Sequence, residues 1–238
     1  MQSALRMLYP PQCLSCGGLV DDDFGLCGPC WRDTPFIAGL VCDKCGVPLM
    51  GEETGETVLC DECMTTARPW NKGRAAMLYS EKGRQIVLAF KHGDRQDLAR
   101  PAAGWMAQAA KHLLQEHSLI APVPLHWMRL LKRRYNQSAL LAAELAKITQ
   151  RAVCPDLLQR TRRTRSLEGL GRDARFAMLA DSIRIQPRRR HRVIGRPVLL
   201  VDDVMTSGAT LAAASEACLA AGASDVSVLV LARVAKDT

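Results

Sequence analysis

Eight of the ten cysteines lie before residue 64, as four C-x-x-C pairs: Cys13/Cys16, Cys27/Cys30, Cys42/Cys45 and Cys60/Cys63. A C-x-x-C turn points two thiolates at one ion, and a second turn completes a tetrahedral four-cysteine site. Four pairs therefore predict two zinc ions. Both are structural, because eight thiolates leave no open coordination position for water. A thioredoxin-like redox pair would be one C-x-x-C beside a βαβ pattern, not four in one short acidic segment. Ten residues separate Cys16 from Cys27, eleven separate Cys30 from Cys42, and fourteen separate Cys45 from Cys60. Such spacing does not exclude cross-braced pairing; sequential pairing into two consecutive zinc ribbons is the preferred reading. Knuckle turns need residues tolerant of φ > 0, and Gly28 with Pro29 in LCGPC and Gly46 after CDKC are read as such hairpin tips.

The sign of the charge divides the chain at the same place. Residues 1–70 hold four basic groups against ten acidic ones, although the whole chain carries +8. Most of the excess lies between Arg129 and Arg196, where eighteen Lys/Arg face five Asp/Glu. A polyanion or phosphate-rich ligand is the partner such a stretch fits, with a solvated basic surface as the plainer alternative. At 238 residues and 48% apolar, the chain reads as folded, with a double zinc ribbon over 1–70 and a larger domain over 71–238. Small polar domains commonly use metal because their core is too small. No apolar run approaches the ~18 residues of a spanning helix, and MQSALRMLYPPQC lacks a secretory h-region. The expectation is a cytoplasmic protein without a membrane span. The five histidines show no ligand spacing with a cysteine.

From Arg74 onward helical and strand patterns alternate, which predicts an α/β domain. A helix is expected through KGRQIVLAFKHGDRQDL in two pieces broken at Gly93, and another from Pro101 to His117. Ile120 to Val123 reads as a short buried strand. After it, Leu141, Leu145 and Ile148 recur at helical spacing behind Asn136, a candidate N-cap. Val198 to Val201 is an uninterrupted apolar run, the mark of a parallel strand covered on both faces. Asp202 and Asp203 follow it. A loop of small hydroxylated residues, Thr206-Ser207-Gly208-Ala209-Thr210, then leads into a helix with Leu211, Ala214, Cys218 and Ala221 on one stripe. Gly222 ends that helix, and Val226 to Ala232 is the next strand. This is a βαβ unit with its loop at the carboxyl end of the strand, where open α/β sheets bind ligands.

Backbone N–H groups at a helix start, a glycine permitting close approach and three hydroxyls make a cradle for a phosphate monoester. Two carboxylates beside it can accept hydrogen bonds from vicinal hydroxyls, so a 5′-phosphate and the diol of one ribose suit the pairing. Neither the Walker nor the Rossmann glycine pattern is present. A receiver domain would need several βα units after its acidic pair, and only 35 residues follow Asp203.

At VLLVDDVMTSGAT the sequence resembles the 5-phosphoribosyl-1-pyrophosphate (PRPP) motif of type I phosphoribosyltransferases. The wider chain, with its cysteine-rich N-terminus, VPL…RRYNQS, VDDVMTSGAT and a final AGA…V strand, resembles the ComF/GntX family. The resemblance implies a phosphoribosyltransferase-like sheet behind a double zinc ribbon, and an association with DNA uptake in natural transformation. It implies that Asp202 and Asp203 hold the ribose hydroxyls, and that Val204, Met205, Thr206, Ser207, Gly208, Ala209 and Thr210 bind PRPP. Lys91, Arg133, Arg134, Asn136 and Gln137 fall in two further blocks and are assigned to the pyrophosphate side, with Mg²⁺ accompanying PRPP. The family's T-x-x-Q-x-x-L and R-x-x-N blocks keep Thr164, Leu170 and Arg175 here but have Leu167 for Gln and Met178 for Asn, which bears on turnover.

As an enzyme the chain would transfer a phosphoribosyl group to an unspecified acceptor. The alternative is a catalytically inactive adaptor of the competence machinery, binding single-stranded DNA through its basic stretch and competence or recombination proteins through the ribbon. Only Tyr135 and Phe176 are aromatic within that stretch, which does not make a broad base-stacking platform.

Overall fold

The computed structural model describes residues 10–23, 25–53, 55–92, 95–125, 135–161 and 182–235. Two short helices, α1 (Gly28–Asp33) and α2 (Asp61–Thr65), belong to the cysteine-rich segment. After them come β1 (Gly73–Leu78), α3 (Glu81–His92), α4 (Ala99–Ala109), β2 (Leu119–Pro122), α5 (Gln137–Thr149) and β3 (Ala152–Val153). The chain continues with β4 (Leu158–Arg160), β5 (Ile183–Ile185), β6 (Pro197–Met205), α6 (Ala209–Ala220) and β7 (Asp225–Arg233). Among these, five strands form one sheet in the order β1-β7-β6-β2-β3, every pair parallel, while β4 and β5 pair antiparallel beside it.

The apolar runs explain the layers. Leu199 and Val201 on β6, with Leu229 and Leu231 on β7, pack with Phe90 of α3, Met106 of α4 and Leu141 and Leu145 of α5. The alternate residues Val198, Leu200, Val228 and Val230 face a second layer that includes Leu211, Ala214 and Cys218 of α6. A strand buried on both faces needs no polar alternation, so the expected fold class, a parallel α/β sheet behind a double ribbon, is what the chain adopts.

The second layer also contains Cys42, Cys45, Cys63 and Trp70. The second ribbon therefore covers part of the sheet. Its knuckle lies so close to β1 that a Cβ at Gly73 would come within 2.3 Å of the Lys44 carbonyl oxygen, and one at Gly46 within 2.8 Å of the Ala75 nitrogen. Gly46 has φ +72, as its knuckle position predicts. The segment between the ribbons closes the sheet's edge: Ile37 N–H donates to Ala76 O at 3.0 Å, and Leu78 N–H to Pro35 O at 2.9 Å. An edge strand covered in this way is no template for further pairing.

Several local expectations shift. Gly28 and Pro29 open α1 instead of making a hairpin tip, since proline at the start of a helix forfeits no hydrogen bond. The helix expected from Pro101 to His117 begins at Ala99 and ends at Ala109. Ile148 is exposed, and the buried stripe of α5 is completed by Ala142 and Ala146. Strand β6 continues through the carboxylate pair to Met205. The helix break expected at Gly93 lies outside the described residues. Among the described residues no helix is long and apolar enough to cross a membrane.

Candidate functional site

The cysteines gather sequentially. Cys13, Cys16, Cys27 and Cys30 form one cluster and Cys42, Cys45, Cys60 and Cys63 another, with the sulfurs of each within 4.8 Å of one another. Cys16 and Cys27 sulfurs are 3.7 Å apart, as are those of Cys45 and Cys60. A tetrahedron of Zn–S bonds near ~2.3 Å has an edge of about 3.8 Å, so both clusters fit a zinc ion. Both use the same turn: Gly17 N–H donates to Cys13 O at 2.9 Å, and Gly46 N–H to Cys42 O at 2.8 Å. Thiols this close cannot all ionise without a cation. Hydrogen bonds from Cys45 and Cys63 drive the Cys42 thiol well below its ordinary range, and Cys63 is pushed up mainly by its bond to Cys42. The two sites differ in setting, since Cys16 is exposed whereas Cys42 and Cys45 are fully buried.

At the carboxyl end of β6, Asp202 Oδ1 accepts hydrogen bonds from Ser138 Oγ at 2.7 Å and from the Asp203 N–H at 2.9 Å. Asp203 Oδ2 pairs with Lys91 Nζ at 3.1 Å. Burial, and then the neighbouring Asp203 charge, push the Asp202 carboxyl up to about 7 against the opposing pull of Ser138, the Asp203 N–H and Lys91. Among the described residues one ammonium, Lys91, faces the two carboxyl groups. Such a carboxyl pair suits a cation or hydroxyl donors.

The Tyr135–Ser138 turn holds this corner together. Asn136 caps α5 by accepting from Ser138 N–H at 3.1 Å, and its amide donates to Val123 O at 3.2 Å. Tyr135 Oη donates to Phe90 O at 2.7 Å, and Gln137 Nε2 to Lys91 O at 3.4 Å, which satisfies carbonyls at the end of α3. Gln137 is almost fully buried. Asn136 and Gln137 therefore fix the position of Lys91 and of the end of β2. Arg133, Arg134, Leu167 and Met178 lie outside the described residues.

Beyond the carboxylates, Val204 packs with one core layer and Met205 with the other. Thr206 is exposed, Ser207 and Thr210 are half-buried, and Ala209 is buried. Gly208 is the N-cap of α6 with φ +79, and Ser207 Oγ accepts from Ala209 N–H at 3.4 Å. The space a Cβ on Gly208 would fill is already taken: Arg68 Nη1 would be 2.8 Å away and the Trp70 ring 3.1 Å. The close approach this glycine permits is thus to the ribbon beneath it.

Two buried arginines hold the loop from that side. Arg233 Nη1 donates to Thr206 O at 2.6 Å and Met205 O at 3.3 Å, and Arg68 Nη1 donates to Ser207 O at 2.6 Å. Glu62 pairs with both, Oε1 with Arg68 at 3.1 Å and Oε2 with Arg233 at 3.0 Å. Sequence reasoning missed Glu62, Arg68, Arg233 and the Ser138 contact. No motif marks the first three, of which Glu62 and Arg68 are neighbours in the ribbon and Arg233 lies near the far end of the chain; Ser138 ends the RRYNQS block. An open groove of about 650 Å³ lies elsewhere, beside the C-terminal half of α6, with Arg184, Arg190 and Glu216 on its walls and none of the loop residues.

Residues 4–64 match the double zinc ribbon domain family. Over most of its length the chain is similar to the DNA utilization protein YhgH of Escherichia coli K12, 28% identical and covering 88% of this chain and 91% of that one. It is similar to competence protein F of Haemophilus influenzae, at 27% over 93% and 96% of the two chains, and to competence protein ComFC of Bacillus subtilis, at 24% over 90% and 87%. These relatives bear out the ComF/GntX resemblance. A solved structure of glutamine PRPP amidotransferase from B. subtilis overlaps 60% of this chain and 30% of its own, at 20% identity and TM-score 0.39.

Proposed function

We propose that this ComF-like chain binds PRPP or a related ribose 5-phosphate at the carboxyl end of β6, in a role tied to the DNA utilization and competence for which its relatives are named. The observation that carries the reading is one stretch of chain: two carboxylates, Asp202 and Asp203, followed within a few residues by the glycine-capped start of α6. Asp202 and Asp203 accept from the two ribose hydroxyls. Thr206, Ser207 and Thr210, with the first N–H groups of α6, take the 5′-phosphate, because the opening turn of a helix leaves N–H groups without intrahelical acceptors. Lys91 faces the pyrophosphate, exchanging its bond to Asp203 for one to the ligand. The carboxylate pair is a hard oxygen donor set that suits Mg²⁺, which would supply neutralisation of pyrophosphate charge. Transfer to an acceptor through an oxocarbenium-like C1′ requires positioning and charge stabilisation and no protein nucleophile.

Titration calorimetry with PRPP, with and without Mg²⁺, tests the reading. Saturable binding that Asp202→Asn with Asp203→Asn abolishes is expected. Absence of heat at millimolar PRPP with Mg²⁺ would remove it.

A second reading, carried by exposed Arg184, Arg188 and Arg190 on β5 and the 3-10 turn after it, is contact with a nucleic-acid backbone. Asp156 already pairs with Arg188 and Arg189. Arg184 and Arg190 are then the cations to test.

A further inference from the structure

We infer that the second zinc ribbon is a working part of the phosphate loop: Arg68 and Arg233, gathered by Glu62, are positioning residues that aim the loop's backbone N–H groups at the 5′-phosphate. The inference rests on the ligand class proposed above and deepens it by naming what orients that site.

Peptide planarity supplies the lever. In a trans peptide the C=O and the following N–H point to opposite sides, and no cis bond occurs among the described residues. Arg233 draws the Thr206 carbonyl toward the ribbon, so the Ser207 N–H points away from it; Arg68 does the same to the Ser207 carbonyl and the Gly208 N–H. If these carbonyls turned outward, the loop would present oxygen dipoles to an anion.

The anchors are themselves held. Arg68 has no exposed side-chain surface and Arg233 only 3%. Glu62 lies on α2 between Cys60 and Cys63, so a metal that fixes those cysteines also fixes the carboxylate on which both guanidinium groups converge. The Arg68 guanidinium also lies over the Trp70 ring, 5.4 Å from its centroid. Trp70 Nε1 donates to Lys44 O at 2.6 Å within the knuckle of Cys42 and Cys45. Each half of the second metal site thus leads through one or two side chains to the loop.

The test uses Glu62→Gln, which keeps size and loses charge, and Arg68→Lys, which keeps charge and loses the fork. Should one variant fail to fold, the other carries the comparison. Calorimetry is run with ribose 5-phosphate and, separately, with Mg²⁺-pyrophosphate. Roughly tenfold weaker ribose 5-phosphate binding with pyrophosphate binding nearly unchanged is expected, since the lost hydrogen bonds orient only the phosphate loop. Equal losses for both probes, or no loss for ribose 5-phosphate, would overturn the inference.

Hydrogen exchange provides a readout that needs no ligand. The amides of Val234 and Ala212, bonded to Met205 O and Gly208 O, should exchange faster in both variants while β7 amides Leu229 to Leu231 keep their rates. Cys60→Ser should also speed Val234 and Ala212, with the β7 amides following because that site packs on the sheet, and Cys16→Ser should leave all of them unchanged. If the wild-type protein binds neither probe, the proposed ligand class falls and exchange alone decides the loop's anchoring: faster Val234 and Ala212 uphold it, and wild-type rates refute it.

Discussion

Ser138 and Asp202, 64 positions apart in sequence, meet in a 2.7 Å hydrogen bond from hydroxyl to carboxylate at the mouth of the sheet. That bond opposes the burial and the Asp203 charge that together push Asp202 from an ordinary 3.8 up to about 7. Between those two values the native protein holds a proton that the unfolded chain has shed. Stability contributed by this group is therefore complete at low pH and is lost as pH rises through about 7. Thermal denaturation across that window should show the decline, and Asp202→Asn should flatten it. A ligand whose hydroxyls or Mg²⁺ require the carboxylate should bind more tightly at pH 8 than at pH 6. Calorimetry at neutral pH in buffers of different ionisation heats should register proton release; a buffer-independent heat would count against the assignment.

Replacing Gly208 probes the ribbon side of the loop. Alanine there must adopt φ +79 and bring its Cβ within 2.8 Å of Arg68 Nη1. Left-handed backbone costs a non-glycine residue about 1–3 kcal/mol, and the crowding adds to it. Chemical denaturation of Gly208→Ala should show a loss of at least that order, with Gly208→Val worse. A variant as stable as the wild type would mean that the loop can move off Arg68 freely.

Elemental analysis of protein purified without chelator should return two zinc ions per chain, as the two cysteine clusters require. The two sites should differ when lost. Cys42, Cys45 and Cys63 are buried in the same layer as Val228 and Val230, so emptying the second site should lower the melting temperature of the sheet itself. Cys16→Ser, at an exposed ligand, should cost less. Emptying the first site should loosen its ribbon and leave the sheet folded.

Nucleic-acid contact has its own signature. If Arg184 and Arg190 meet backbone phosphates, the binding constant for single-stranded DNA should fall with salt, at a slope near about −0.7 per phosphate neutralised. Arg184→Gln with Arg190→Gln should lower that slope by an amount approaching two such contacts and leave PRPP affinity unchanged. Salt-insensitive binding would dismiss these arginines as DNA contacts.

Much of this architecture follows from local sequence. Paired cysteines at knuckle spacing specify metal clusters because ligand geometry is short-range, and Val198 to Val201 specify a doubly covered strand because nothing polar interrupts them. Asp202, Asp203 and the Thr206–Thr210 loop are legible for the same reason: the chemistry is carried by neighbours in the chain. Asn136 as a helix cap is also a local statement.

Tertiary structure alone decided the rest. Nothing near Glu62 in sequence indicates that it pairs with Arg233, 171 positions away, or that Arg68 reaches the carbonyl of Ser207, 139 positions away. A buried arginine and a solvated one are the same letter, and only the fold places these beneath the loop, paired with Glu62 and out of water. The composition shift at residue 70 suggests a boundary between a ribbon and a basic domain, whereas hydrophobic burial ignores it and places Trp70 and three zinc-site cysteines in the core of the sheet. Local chemistry determined which groups are present. Long-range packing determined which carbonyls they hold, because burial and hydrogen-bond partners depend on distance in space rather than along the chain.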